Sequence, residues 1–67
     1  MEWLAIKHYD YDLIFTQSRE SRDFMLDYYV KQKLTINSLV LKVFKSEEEA
    51  TIYCNNINQI TQLIKDL

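Results

Sequence analysis

The sequence predicts a small α+β domain of element order β-β-α-β-α, with a three-stranded sheet and two helices on one face. Three observations predict it. Short apolar runs bounded by Asn, Asp and Ser occupy residues 2–8, 12–17 and 38–45, two longer segments opened by serine carry helical periodicity, and 67 residues suffice for one hydrophobic core only. Residues 1–67 are therefore read as a single domain.

Trp3-Leu4-Ala5-Ile6-Lys7 reads as the first strand and Asp12-Leu13-Ile14-Phe15-Thr16-Gln17 as the second, with Tyr9-Asp10-Tyr11 between them. The chain has no glycine and no proline, so every reversal is expected to fall to Asn, Asp or Ser, which tolerate left-handed backbone and bond to nearby amides. A hairpin is the economical reading of residues 2–17, and one long bent strand is its competitor, because no Asn-Gly or Asp-Gly fixes a two-residue turn. Ser18 and Ser21 are N-cap candidates for a helix over 19–33, with Glu20 and Asp23 near its start and Lys31 and Lys33 at its end, as the helix dipole favours. On a helical wheel Glu20, Asp23, Asp27 and Lys31 form a narrow polar stripe. Phe24, Met25, Leu26, Tyr28, Tyr29 and Val30 cover the rest, more apolar surface than one small sheet can hide.

The third strand, over 38–45, is rich in β-branched and aromatic residues on both faces. It runs into Ser46-Glu47-Glu48-Glu49, a capping box, so the acidic run marks a helix start rather than a cation site. Behind it Ala50, Tyr53, Ile57, Ile60, Ile64 and Leu67 repeat at alternating spacings of three and four. That seam is the core face of an amphipathic second helix; the other reading makes it a coiled-coil strand that carries an assembly.

Composition limits the function classes. Eight basic against ten acidic residues give a net charge of −2, without the basic excess that displaces counterions from nucleic acid. No apolar stretch approaches the roughly 18–20 residues of a membrane span, and no leader pattern opens the chain, so a soluble, cytoplasmic protein with no membrane partner is expected. Ile, Lys, Asn, Tyr and Phe are abundant and Ala and Arg scarce, the skew of AT-rich codons, which suggests a low-GC bacterium or its phage.

Chemistry-bearing residues are few. His8, Asp10 and Asp12 alternate and would share one side of an extended strand, a metal-type pattern, but they read as turn formers and a flanking histidine. Cys54, the single cysteine, forms no internal disulfide. It would be a nucleophile only with His8 beside it, and its place on the apolar flank of helix two predicts a small buried hydrophobe. No catalytic set, metal site, cofactor motif or small-molecule substrate is expected, and the chain reads as a non-enzyme.

One Trp, five Tyr and three Phe must still be placed. If Leu4, Ile6 and Ile14 face the helices, then Trp3, Ala5, Leu13 and Phe15 face away, and an uncovered sheet face holds aromatics. Such a face is an apolar protein interface or, alternatively, a platform for stacking bases. The expected interface residues are Trp3, Phe15, Phe44, Tyr28, Tyr29, Ile52 and Leu63, and the expected partner is a second copy or a larger protein. A small regulator or inhibitor of a host protein would fit. The alternative is a module for single strands, duplex RNA or RNA–DNA hybrid, with Trp3, Phe15 and Phe44 as the platform and Arg19, Arg22, Lys31 and Lys33 on the phosphates.

The run Trp3-Leu4-Ala5-Ile6-Lys7, then Ile14-Phe15-Thr16, a helix, and Lys42-Val43-Phe44-Lys45-Ser46-Glu47-Glu48-Glu49-Ala50 resembles the small hybrid-binding module at the N-terminus of some ribonucleases H. The resemblance implies recognition of duplex RNA or RNA–DNA hybrid. This chain departs from that module in having no glycine in the first turn and no tryptophan opening the first helix.

Overall fold

A computed structural model describes all residues from Met1 to Leu67. The α+β class and the β-β-α-β-α order are as expected: β1 spans Trp3–His8, β2 Ile14–Ser18, α1 Arg19–Lys31, β3 Ser38–Phe44 and α2 Glu47–Lys65. The sheet is antiparallel in the order β2-β1-β3, so β1 is the central strand.

Residues 2–17 form the hairpin and not the bent strand. With no residue of positive φ between Tyr9 and Leu13, the chain cannot make the tight turn that places both central residues in left-handed geometry, and it takes five residues to reverse. That loop is held from outside. The Lys7 ammonium donates to the carbonyls of His8 and Tyr11, the Tyr9 amide donates to the Asn37 carbonyl at 2.9 Å, and the Asn37 side chain donates to Asp10 at 3.1 Å.

Both helices start directly from a strand through a serine. The Ser18 hydroxyl accepts from the Ser21 amide and the Ser46 hydroxyl from the Glu49 amide, each at 3.2 Å, satisfying donors that a helix start leaves free. Helix α1 ends two residues before the expected Lys33, and the end has a specific form. The Lys33 amide reaches back to the Val30 carbonyl at 3.1 Å and the Leu34 amide to the Tyr29 carbonyl at 2.9 Å, a Schellman pattern, with Lys33 itself at φ 57°. A glycine-free chain fills this left-handed position with a lysine.

The two helices do not share a face of the sheet, and the expectation that they do is corrected by the strand register. Trp3, Ala5, Ile14, Thr16 and Phe44 point to one side, where Ala5, Ile14 and Cys54 form a core cluster with Phe44, Tyr53 and Ile57 packed against it. That is the α2 side. Leu4, Ile6, Phe15 and Ser38 point to the other, where the buried Arg22 of α1 donates to the Ser38 hydroxyl at 2.6 Å and to its carbonyl at 3.2 Å. Three consecutive residues of β1, Leu4, Ala5 and Ile6, are fully buried, which a sheet covered on one side could not achieve. Fully buried neighbours along a strand require a layer on each side.

The left-handed lysine gives a test. Non-glycine residues pay about 1–2 kcal/mol in this region, so Lys33→Gly, at an exposed site, is expected to stabilise the fold by about 0.5–1 kcal/mol after the extra unfolded-state entropy of glycine is counted. Thermal unfolding should show a rise of several degrees; a fall would mean that Lys33 serves the fold through its side chain.

Candidate functional site

Strand alternation decides which expected site residues can act together. Trp3 and Phe44 are register partners on the α2 side and both are half-buried. The Phe44 ring lies 5.2 Å from that of Tyr53, and the Lys42 ammonium sits 5.4 and 5.5 Å over the two rings. Phe15 points to the opposite face, stacked at 6.0 Å on His8. The uncovered aromatic face expected from the sequence therefore does not exist: each side of the sheet carries a helix, and Trp3 and Phe44 are separated from Phe15 by the sheet itself. Tyr28 is exposed on α1 beside the half-buried Tyr29, their rings 6.2 Å apart, and Ile52 and Leu63 are exposed on α2. The seven residues thus lie in separate places, with Trp3 and Phe44 one pair and Tyr28 and Tyr29 another.

The cations named for phosphate contact are engaged within the chain. Arg19 pairs with Glu2 at 3.0 Å, Lys31 with Asp27 at 2.9 Å, and Arg22 is buried on Ser38, which leaves Lys33. The other candidate clusters also separate. His8 and Cys54 lie on opposite faces, and Cys54 is buried as expected, its sulfur accepting from the Thr16 hydroxyl at 3.6 Å. Asp10 accepts from Asn37, and Asp12 pairs with Lys65 at the far end of α2.

Nine of the exposed apolar side chains fall in three places. Phe24 and Tyr28 stand one turn apart on the outer side of α1. Ile60, Leu63, Ile64 and Leu67 form a stripe on the last turns of α2. Leu39, Leu41 and Val43 project from β3, an edge strand. The seam of α2 is thus core only in its first half, for Ala50 is buried and Tyr53 and Ile57 are half-buried, whereas Ile60, Ile64 and Leu67 are exposed. The overhang could have been read from length: 19 helical residues at about 1.5 Å rise outrun strands of five to seven residues at about 3.3 Å. An open groove of about 470 Å³ lies under this overhang, between Leu13 and Phe15 on one wall and Asn58, Gln62 and Lys65 on the other.

A polar layer lies beneath α1. Arg22 is 5% exposed and has no carboxylate partner; its Nε, the Nδ1 of His8 and the Oε1 of Gln17 are buried without a hydrogen bond, all on the α1 side of the sheet. Leaving a buried donor or acceptor unpaired costs about 1–3 kcal/mol, so this layer is held at the expense of stability.

No protein-family model, curated protein or solved structure matches the chain.

Two outcomes follow from these contacts. Ser38→Ala removes a principal acceptor of a buried guanidinium and is expected to cost about 1–3 kcal/mol, whereas Arg22→Leu removes the buried charge altogether and should be near neutral; urea unfolding of the two variants separates them, and equal losses would refute the assignment. At the rim, the hydrogen bond and charge of Lys65 hold the Asp12 carboxyl below the ordinary aspartate range. A depressed carboxylate contributes stability that is present above its unfolded pKa and lost as pH falls through the folded value. Lys65→Met should raise the Asp12 pKa in a carboxyl NMR titration, and an unchanged titration would show that the pair is not formed in solution.

Proposed function

We propose that this chain is a non-enzymatic protein-interaction module that associates with itself through apolar surface, of the kind a low-GC bacterium or its phage uses as a small regulator or inhibitor of a host protein. One observation carries the reading: the molecule exposes more surface than a chain of its mass needs to. Its accessible area is 5060 Å², against about 4,500 Å² for a compact monomer of 8.1 kDa. Only eight of the 67 residues are buried, although 48% are hydrophobic. The radius of gyration, 13.0 Å, exceeds the about 11 Å of a compact domain of this length, because two thin cores on either side of three strands spread the chain instead of closing it.

Surface of this kind supports association over catalysis or nucleic-acid binding. The uncovered side chains are Leu, Ile, Val and aromatic residues on two helices and a strand, which protein interfaces bury at their centres. Base stacking would call on Trp3, Phe15 and Phe44 together, and the sheet divides them. Sedimentation equilibrium of the purified chain across micromolar to submillimolar concentration tests the proposal. The weight-average mass should climb from that of the monomer toward that of the dimer, and a mass that stays at the monomer value throughout would overturn it.

A further inference from the structure

Helix α2 carries two apolar faces. Ala50, Cys54 and Ile57 turn toward the sheet, whereas Ile52, Ile60, Leu63, Ile64 and Leu67 lie about a third of the circumference away and are each more than half exposed. The second face is also without charge. From Ala50 to Ile64 fifteen consecutive residues include no Asp, Glu, Lys or Arg, and the polar residues exposed among them are Thr, Asn and Gln. A helix flank left to water ordinarily carries charges, and their depletion is the mark of surface that a protein contact buries. The two halves of this face differ in access. Tyr53, about two turns before Ile60 on the same line, has β3 beside it, its ring 5.2 Å from that of Phe44 and 5.5 Å from the Lys42 ammonium. Past Asn58, which bonds to Ile14 at the start of β2, the helix outruns the sheet and the flank is open.

We infer that the last turns of α2 pack antiparallel against the same turns of a second copy, about a two-fold axis at the level of Leu63 and Ile64. This rests on the self-associating reading above and names its surface. An uncharged apolar stripe is complementary to itself, and a two-fold axis perpendicular to the helix sets Ile60 against the partner's Leu67 and Leu63 against the partner's Ile64. Each of the four then meets an apolar side chain. An axis two residues nearer the N-terminus would instead set Asn56 against the partner's Leu67 and Gln59 against the partner's Ile64. A parallel pair is disfavoured because the first turns would also run side by side. There β3 stands in the way, and Glu49, about five turns before Leu67 on the same line, would meet its own copy. In the antiparallel pair only the overhangs meet and the two sheets lie at opposite ends. The area agrees: the accessible surface exceeds that of a compact chain of this mass by roughly 500–600 Å², so a pair has somewhat over about 1,000 Å² to bury, the size of a small specific interface.

Disulfide trapping tests the pairing. Leu63 and its copy stand about 1.5 Å apart along the helix axes, and with those axes about 8–10 Å apart their Cβ atoms come close to disulfide range. Leu63→Cys should cross-link to itself under mild oxidation, with the buried Cys54 left in place and the linkage mapped by mass spectrometry. Ile60→Cys, about 10 Å from its copy along the axes, and Ile52→Cys, on the first half of the helix, should not. Leu63→Glu, at an exposed position, should keep its circular dichroism and raise the dimer dissociation constant about tenfold or more, through loss of apolar contact and the opposition of two carboxylates. If the chain dimerises but Leu63→Cys does not cross-link, if Ile52→Cys or Ile60→Cys cross-links as readily, or if Leu63→Glu leaves the dimer unchanged, the α2 pairing is overturned while self-association stands. A strictly monomeric chain overturns both.

Discussion

The rest of the structure depends on the burial of the middle of β1 from both sides. Leu4, Ala5 and Ile6 are consecutive and fully buried, and a strand turns successive side chains to opposite faces. Each face must therefore be covered, and the chain has two helices with which to do it. Helix α1 leaves the end of β2 and folds back over Leu4 and Ile6, while α2 leaves the end of β3 and folds back over Ala5 and Ile14. The two cores are thin. Once each helix is committed to its own face, nothing in the chain remains to cover the outer side of α1, the last turns of α2 or the edge of β3.

The sequence makes the elements legible and conceals their layering. Serine caps, the acidic first turn of α2 and the β-branched run at β3 each act within a few residues, and these elements lie where local chemistry puts them. Face assignment is a long-range property. Trp3-Leu4-Ala5-Ile6 is an unbroken apolar run, the pattern of a strand covered on both sides, and reading it by alternation alone placed Ile14 with Leu4 and Ile6 when the register sets it on Ala5's side. The end of α1 was concealed for another reason. A Schellman turn is ordinarily signalled by glycine, and here Lys33 occupies the left-handed position without announcing it.

The interface residues divide in the same way. Tyr28, Ile52 and Leu63 are exposed where helical periodicity left them off the packed face, and Phe15 is partly exposed. Trp3 and Phe44 are half-buried on the α2 side because β1 and β3 bring them into register, which no feature of either segment reveals alone. Conversely, β-branched and aromatic residues on both faces mark the β3 segment as a core strand, whereas Leu39, Leu41 and Val43 are exposed. Their exposure follows from sheet order, since β3 would be shielded on both flanks in the middle of the sheet and is open on one at its edge.

The polar layer under α1 belongs to the same account. The outward side of α1 carries Phe24 and Tyr28 and the inward side Met25, Leu26 and Tyr29, so apolar surface alone gives a weak preference for which side turns toward the sheet. A helix held only by that preference has several near-equivalent rotations available, the condition in which a core loses uniqueness before it loses stability. Arg22 removes the degeneracy. Its guanidinium finds both of its acceptors on one residue, Ser38, at the far end of the opposite edge strand, and only one rotation and one lengthwise position of α1 bring them together. The unpaired Nε, with the neighbouring buried nitrogen of His8 and oxygen of Gln17, is the stability given up for that selection. The cost of a unique α1 is thus carried by polar groups in the core beneath that helix, while its apolar residues Phe24 and Tyr28 stand outward in solvent.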